Sequence, residues 1–361
     1  MNICEYLDEY GNKTFAEQPF NEVDSLIFAE LAYLNWDRFV GFSAPEKSLC
    51  DLSVHKKELI DCVYVPKDNL ALIKSAATSA RFHNIKVGWF ESHYDEETTV
   101  QFAAVTFKLE DGTAVVAFRG TDESIVGWKE DFNMAFLSEI PAQGLAVEYL
   151  NKVAAKEKHT LIVCGHSKGG NLAVYASVFS KQDVKNRIQA IYNHDGPGFH
   201  ENIFTKQEYI ELQDKIYKFV PHDSLIGVLL EHTKDFNVVQ CKSANIVQHI
   251  PFTWQVKDET CFHAKRSTTV GSKMVDKAMS DFVDGMDLDQ RKSFVNGMFA
   301  VIEGSGAKYL YELRTAPLSR LNGMRKAYSA LTGDEKKLMA LGGMKFIKLW
   351  FQSIVSLKDE E

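Results

Sequence analysis

The chain has 361 residues, 45% of them hydrophobic and 25% charged, with a formal net charge of −8. This apolar content is enough for a substantial core and excludes a disordered chain. The acidic balance, with no cluster of Lys and Arg interleaved with aromatic residues, argues against a nucleic-acid-binding protein.

The first third of the chain predicts helices followed by antiparallel strands. Residues 1–19 are polar and irregular, a helix is predicted to begin at 21–24, and a second covers 68–81. Three segments rich in β-branched and aromatic residues follow, at 85–94, 99–109 and 113–118. The dipeptide Asp111-Gly112 predicts a hairpin between the last two.

From residue 143 onwards, helices and strands alternate. A helix is predicted at 143–157, and the segments after it are strand 161–164, helix 171–180, strand 188–193, helix 206–213, strand 215–220 and strand 236–241. Such alternation predicts a mainly parallel sheet covered by helices. Antiparallel strands followed by parallel ones are typical of an α/β-hydrolase sheet.

Beyond residue 266 only helices are predicted, at 273–284, 288–303, 306–330 and 334–357. We therefore expect an α/β protein in three parts: an N-terminal helical segment packed on the core (1–84), an α/β-hydrolase core (85–265) and a C-terminal helical extension (266–361).

Six cysteines are scattered without a C-x-x-C pair: Cys4, Cys50, Cys62, Cys164, Cys241 and Cys261. This spacing is typical of reduced thiols rather than of a disulfide framework. The acidic N-terminus lacks the pattern of a signal peptide, and no apolar run reaches the roughly 18 residues of a membrane span. We expect a cytoplasmic protein.

Residues 161–174 place one serine between a strand and a helix. The apolar run 161–164 meets Gly165-His166-Ser167-Lys168-Gly169, and a helix is predicted directly after it. In this context G-x-S-x-G is typical of a nucleophile elbow, which raises the serine hydroxyl above the end of the sheet. We predict Ser167 as a nucleophile; the alternative is a glycine-rich turn with an idle serine.

A serine of this kind needs a base to take its proton and an acid to orient that base. His249 lies in a loop after the last predicted strand, where Pro251 opposes a regular helix and Trp254 can anchor the segment. We predict His249 as the base, with His263 as second choice.

Two aspartates compete for the role of the acid. Asp223 follows the strand 215–220, two strands after the elbow, and is the predicted acid. Asp195 is the alternative, in a turn rich in glycine and proline one strand after the elbow, although such a turn also fits a purely backbone role. We predict that His249 contacts both Ser167 and Asp223.

Two main-chain N–H groups are predicted to hold an oxyanion. The N–H of Lys168 begins the helix after the elbow, and Thr121 follows the strand 113–118. The second donor usually comes from the loop after such an earlier strand. Thr121 also offers its hydroxyl.

These motifs resemble a known group of enzymes. Residues 115–121, with Gly127-Trp128 and Asp131, resemble the oxyanion loop of class 3 (fungal-type) lipases, and 164–170 and 219–223 resemble their elbow and acid segments. Segments 19–26, 195–199 and 248–254 resemble a bacterial family of lipase-like hydrolases of unknown function. The resemblance implies the α/β-hydrolase fold, with Ser167 as nucleophile, Asp223 as acid, His249 as base, and Thr121 and Lys168 at the oxyanion.

The sequence thus predicts a serine hydrolase that cleaves carboxylic esters of acyl or lipid type and needs no cofactor or metal. The alternatives are a thioesterase or amidase with the same residues, and a catalytically silent binding protein. The expected partner is a small-molecule ester or lipid. The apolar stretch 344–357 with its lysines indicates a possible weak contact with a membrane surface.

Overall fold

The computed structural model describes residues 1–61, 63–134, 137, 139–200, 203, 205–231, 235–273, 277, 285–314 and 318–340. They form an α/β protein around a nine-stranded sheet, whose strands lie side by side in chain order. The strands are β1 (Lys47–Ser48), β2 (Lys86–Asp95), β3 (Val100–Lys108), β4 (Ala114–Phe118), β5 (Leu161–His166), β6 (Ile188–His194), β7 (Ile216–Pro221), β8 (Asn237–Val239) and β9 (Ala264–Lys265).

Helices cover both faces of this sheet. They are α1 (Ile3–Tyr10), α2 (Glu22–Leu31), α3 (Leu49–Ser53), α4 (Lys56–Leu59), α5 (Pro66–Thr78), α6 (Ile125–Met134), α7 (Pro141–Lys156), α8 (Lys168–Phe179), α9 (Gln182–Lys185), α10 (Gln207–Ile210), α11 (Leu288–Glu303), α12 (Leu310–Arg314), α13 (Leu318–Ala330) and α14 (Gly333–Leu338), with 3₁₀ helices at Gln213–Lys215, Asn245–His249 and Pro251–Thr253.

The sheet changes direction at β4. Strands β1 to β4 pair antiparallel, β4 to β8 pair parallel, and β9 returns antiparallel against β8. The predicted α/β architecture is confirmed, but the parallel part is narrower than the mainly parallel sheet that the sequence predicts. The two-residue edge strands β1 and β9 are too short to leave a periodic signal.

Alternate residues of the central strands pack into two separate hydrophobic cores. Val115 and Ala117 of β4 point into a core shared with α1, α2 and α5. Val116 and Phe118 point to the opposite face, which α7 and α8 cover. This alternation follows from the two-residue period of a strand. Because both faces of β4 and β5 are fully buried, these strands read as continuous apolar runs.

The N-terminus is more regular than predicted. Residues 1–19 contain α1, which begins at a capping box in which Asn2 and Glu5 bond each other's main-chain N–H groups. Ile3, Tyr6 and Leu7 bury one face of this helix. The short helix was missed because its apolar residues span only about two turns.

The C-terminal helices dock on α6, the helix that follows β4. Ile125 and Phe132 of α6 lie in a third apolar cluster with residues of α11, and the rings of Phe132 and Phe299 are 5.4 Å apart. A main-chain hydrogen bond also links α6 to the C-terminal part of the chain, since the Ile125 N–H donates to the Lys308 carbonyl at 2.9 Å. Helix α11 matches the predicted helix 288–303, whereas nearly all of 273–284 and all of 344–357 lie outside the described residues.

Among the described residues, none of the helices combines the length and apolar character that crossing a bilayer requires. The division of the chain at residues 84 and 265 stays a prediction.

Candidate active site

Ser167 sits at a strained turn between β5 and α8. Its backbone adopts φ 57° and ψ −134°, a left-handed conformation that costs energy for a residue with a Cβ. The flanking glycines make the turn possible: a Cβ on Gly165 would lie 2.1 Å from the Gly169 carbonyl oxygen, and one on Gly169 would lie 2.1 Å from that of Phe118. The strand–turn–helix arrangement predicted from the sequence is present.

The ends of the parallel strands bring the candidate residues to one edge of the sheet. In the register of the sheet, Phe118 pairs with Gly165, His166 with His194, and His194 with Phe219. The residues directly after these strands therefore line the same edge, where α/β sheets commonly bind ligands. Thr121, Ser167, Asp195 and Asp223 all follow such strand ends.

His249, at the end of the 3₁₀ helix that follows β8, contacts Ser167 at this edge of the sheet. Its Nε2 lies 3.0 Å from the Ser167 hydroxyl oxygen, which is hydrogen-bonding distance. The loop is anchored behind the ring, because the buried indole of Trp254 donates to the Gln248 carbonyl at 2.8 Å. His263, the second choice, lies exposed, and its main chain pairs with Gln240 and Gln255.

Asp195, and not Asp223, contacts the imidazole. The Oδ2 atom of Asp195 lies 2.6 Å from Nδ1 of His249, and this carboxylate is completely buried. Its other oxygen accepts the Ser224 hydroxyl at 2.5 Å and the Gly227 N–H at 3.1 Å. The residue takes a left-handed φ of 51°, which turns it back towards the site directly after β6.

The predicted contact between Asp223 and His249 is therefore wrong. The Asp223 carboxylate instead accepts the Thr269 hydroxyl and, at 3.3 Å, the Gln248 side-chain amide. The physical reason is the lateral order of strands. Strand β6 lies directly beside β5, whereas β7 is one strand farther from Ser167, roughly 4.8 Å more. Asp223 thus holds the segment just before His249 rather than the ring itself.

A compact polar network lies beside Ser167, around the loop that follows β4. The Thr121 hydroxyl donates to Oδ2 of Asp131 at 2.5 Å. Burial raises the pKa of the Asp131 carboxyl to about 6, against the lowering effect of the nearby Lys168 charge. The Lys168 ammonium lies 3.9 Å from Asp131 Oδ1. The loop that carries Thr121 passes close to Ser167, because a Cβ added to Gly120 would lie 3.1 Å from the Cβ of Ser167.

The Lys168 side chain is a buried cation with all three donors used. It donates to Glu130 Oε2 at 2.8 Å and to both the main-chain and side-chain oxygens of Gln101 at 2.7 Å. Lys168 and Glu130 side chains have no exposed surface. Glu130 in turn accepts the N–H groups of Gln101 and Ala142. This network ties α6, α7 and β3 to the first residue of α8.

Ser167, His249 and Asp195 all lie within a region of the chain that matches a known protein family. Residues 76–300, more than half of the chain, match the Mbeg1-like family. The chain belongs to the Mbeg1-like family. Among curated proteins, none matches the sequence significantly.

Several solved lipases are similar to this Mbeg1-like chain. M37 lipase has 14% identity and a TM-score of 0.40, and the match covers 72% of this chain and 80% of that one. A fungal lipase solved with an inhibitor has 12% identity and a TM-score of 0.36, over 61% and 80%. A triacylglycerol lipase from Penicillium expansum has 12% identity and a TM-score of 0.30, over 50% and 81%.

Two parts of the site were not predicted from the sequence. Helix α6, which supplies Glu130 and Asp131, is not among the helices that the sequence predicts, although Asp131 belongs to the motif that resembles a lipase oxyanion loop. The ion pair of Lys168 was missed because the motif drew attention to its N–H alone. A lysine between two glycines of a buried turn needs a carboxylate partner, and that signal was available.

Proposed function

We propose that this Mbeg1-like protein is a serine hydrolase that cleaves carboxylic esters through an acyl-enzyme on Ser167. The hydrogen-bonded line from Ser167 through His249 to Asp195, at 3.0 and 2.6 Å, carries the proposal. In it His249 is the base and Asp195 replaces Asp223 as the acid. A nucleophile, a base within reach and a buried orienting carboxylate are the three parts that such catalysis requires.

The reaction starts when the Ser167 oxygen attacks the ester carbonyl carbon and His249 Nε2 takes its proton. Asp195 keeps the remaining imidazole proton on Nδ1 and balances the positive charge that forms on the ring. His249 then protonates the leaving alkoxide, which departs as an alcohol. A water molecule attacks the acyl-enzyme, His249 takes its proton and returns it to Ser167, and the carboxylic acid leaves.

We place the oxyanion against the main-chain N–H groups of Thr121 and Lys168. The Lys168 N–H has no partner within its helix, because it belongs to the first residue of α8. It therefore points outward with the positive end of the helix dipole behind it. The Thr121 hydroxyl has only one proton, which the ionised Asp131 accepts. In this proposal Thr121 contributes through its N–H alone.

Covalent labelling tests the nucleophile. A fluorophosphonate probe should modify the wild-type protein at Ser167, as peptide mapping would locate, and leave a folded Ser167→Ala variant unmodified. A folded wild-type protein that stays unlabelled would favour the silent binding protein. A panel of esters, thioesters and peptide amides then separates the three acyl substrates that the same residues can cleave.

Thr121→Val tests which oxyanion donor Thr121 supplies. We expect kcat to fall by less than about tenfold at pH 8, well short of the roughly 10²–10³-fold typical of a lost oxyanion donor. The small effect follows because valine keeps the main-chain N–H. A matched Thr106→Val change removes a hydroxyl that bonds Tyr149 instead. A loss of 10² or more at Thr121 alone would assign the hydroxyl to the oxyanion.

We further propose a cytoplasmic protein that acts on an acyl or lipid-type ester without a cofactor, because the reaction as written uses only groups of the chain. The cysteines of the described part are free thiols, which fits a reducing compartment. The suggested membrane contact at 344–357 lies outside the described residues.

A further inference from the structure

The carboxylate of Asp195 is held by a loop that follows the neighbouring strand. Its Oδ1 atom, the oxygen that does not face His249, accepts the Ser224 hydroxyl at 2.5 Å and the Gly227 N–H at 3.1 Å. Both donors belong to residues 222–227, which follow β7 and which we call the β7 loop. The β7 loop therefore contacts the proposed acid directly.

The proton of the Ser224 hydroxyl has a defined direction. The hydroxyl oxygen lies 3.0 Å from the Gly227 nitrogen, and because an N–H only donates, the oxygen is the acceptor of that bond. The ionised carboxylate of Asp195 only accepts, so the hydroxyl proton points to Oδ1. Ser224 is 2% exposed and Asp195 is completely buried. A charge in such a place depends on the donors that reach it.

Gly227 is suited to its position because its backbone passes very close to this carboxylate. A Cβ there would lie 2.2 Å from Oδ1 of Asp195 and 2.8 Å from a methyl carbon of Val220. A larger residue would displace either the carboxylate or the loop. With Gly227 on one side and the Ser224 hydroxyl on the other, Oδ1 has little room. A rotation of the carboxylate that would carry Oδ2 away from His249 is therefore opposed.

Residues 269–272, which follow β9, hold the β7 loop in turn. The Thr269 N–H donates to the His222 carbonyl at 2.8 Å. The hydroxyl of Ser272, a buried side chain, donates to the carbonyl of Ser224. These bonds fix the main chain from which the Ser224 hydroxyl extends.

We propose that Ser224 is a positioning residue for Asp195, on a loop that residues 269–272 hold in place. Its hydroxyl keeps Oδ2 of the carboxylate against Nδ1 of His249, and this contact keeps the imidazole proton on Nδ1 as the base requires. The inference rests on the proposed function, in which Asp195 is the acid. Ser224 acts through Asp195 and needs no contact with the reacting atoms.

Ser224→Ala tests this role, because it removes the hydroxyl and leaves the Gly227 N–H in place. We expect kcat for p-nitrophenyl acetate to fall about tenfold with KM little changed, since small displacements of a catalytic group are costly. The control Ser177→Ala removes another buried hydroxyl, which bonds the Ala173 carbonyl within α8, and should keep the wild-type kcat.

In each protein kcat is calculated per site that the fluorophosphonate probe labels at completion, so a loss of folded protein alone does not lower it. Equal kcat in the wild type, Ser224→Ala and Ser177→Ala would overturn the inference.

A further variant tests the support from residues 269–272. Ser272→Ala removes the bond to the Ser224 carbonyl but keeps the Ser224 hydroxyl, so kcat should fall by a smaller factor, roughly two- to fivefold. A wild-type kcat would remove residues 269–272 from the proposal. A loss larger than that of Ser224→Ala would show that Ser272 does not act through Ser224.

Imidazole ¹⁵N spectra of His249, assigned with a His249→Gln variant, give a measurement that does not depend on turnover. At pH 8 the wild type and Ser177→Ala should hold the ring proton on Nδ1, whereas Ser224→Ala should show a mixture with the Nε2–H tautomer. Unchanged ring shifts in a folded Ser224→Ala protein would refute the inference, whether or not esters are hydrolysed. The expected spectra in a protein that neither hydrolyses esters nor reacts with the probe would count against the proposed function alone.

Discussion

Asp195→Asn lowers kcat for ester hydrolysis by roughly 10⁴-fold, the loss expected when the base is held in the wrong tautomer. Both carboxylate oxygens of Asp195 are in use, one by His249 and the other by two donors, Ser224 and Gly227. These donors require an acceptor, so an asparagine keeps its oxygen towards them and turns its NH₂ group to His249. Nδ1 must then accept, and the imidazole proton moves to Nε2, where it prevents uptake of the Ser167 proton.

Asp223→Asn is the matched control. Its carboxylate bonds Thr269 and the Gln248 side chain, so the variant alters only the support of the His249 loop. We expect less than about a tenfold loss in kcat from such an indirect change. Steady-state kinetics and the rate of fluorophosphonate labelling would be measured on both variants, with circular dichroism to verify folding. Equal losses, or an Asp195→Asn enzyme close to wild type, would show that the acid is misassigned.

The proximity of Ser167 and His249 was predictable because local patterns determine where both residues lie. Gly165 and Gly169 around a serine, between an apolar strand and a helix, have few structural uses besides an elbow. The central elements also follow local patterns, and α7 and α8 lie within a few residues of their predicted positions. His249 was expected near Ser167 because a loop after the last predicted strand can reach the shared edge of the parallel strands.

The aspartate that contacts His249 was not predictable in the same way. Asp195 and Asp223 each follow a parallel strand, and both strands end at one edge. The choice between them depends on lateral distance across the sheet and on the left-handed backbone at Asp195, and neither is encoded in a local pattern. The glycine- and proline-rich turn directly after β6 was a signal of unusual backbone geometry, and on that sequence evidence Asp195 was kept only as the alternative acid.

Helix α6 was likewise not predictable from its own sequence, because tertiary contacts bury its apolar residues. Its apolar residues are buried by the C-terminal helices, more than 150 positions away in the chain, so the segment shows apolar character without a clear helical face. The role of its two acidic residues, Glu130 and Asp131, is recognisable only once Lys168 is known to lie beside them. Sequence order alone does not bring β3, α6 and α8 together.

Lys168→Met lowers the free energy of unfolding by about 3–5 kcal/mol, the usual cost of removing one partner of a buried ion pair. The change leaves the Glu130 carboxylate buried with only two main-chain donors, Gln101 and Ala142. It also leaves two oxygens of Gln101 without the ammonium that they bind. Urea denaturation followed by circular dichroism measures the loss. Lys308→Met, which breaks an exposed pair with Glu96, should change stability little.

The double variant Lys168→Met/Glu130→Gln separates charge from packing. If the cost comes from an uncompensated carboxylate, removing that charge should recover a large part of the stability lost in the single variant. If the cost comes from lost packing of the lysine stem, the double variant should be no more stable than the single one. Because Lys168 also supplies the proposed oxyanion N–H, recovered stability without recovered kcat would show that the buried ion pair fixes the position of that N–H as well as the fold.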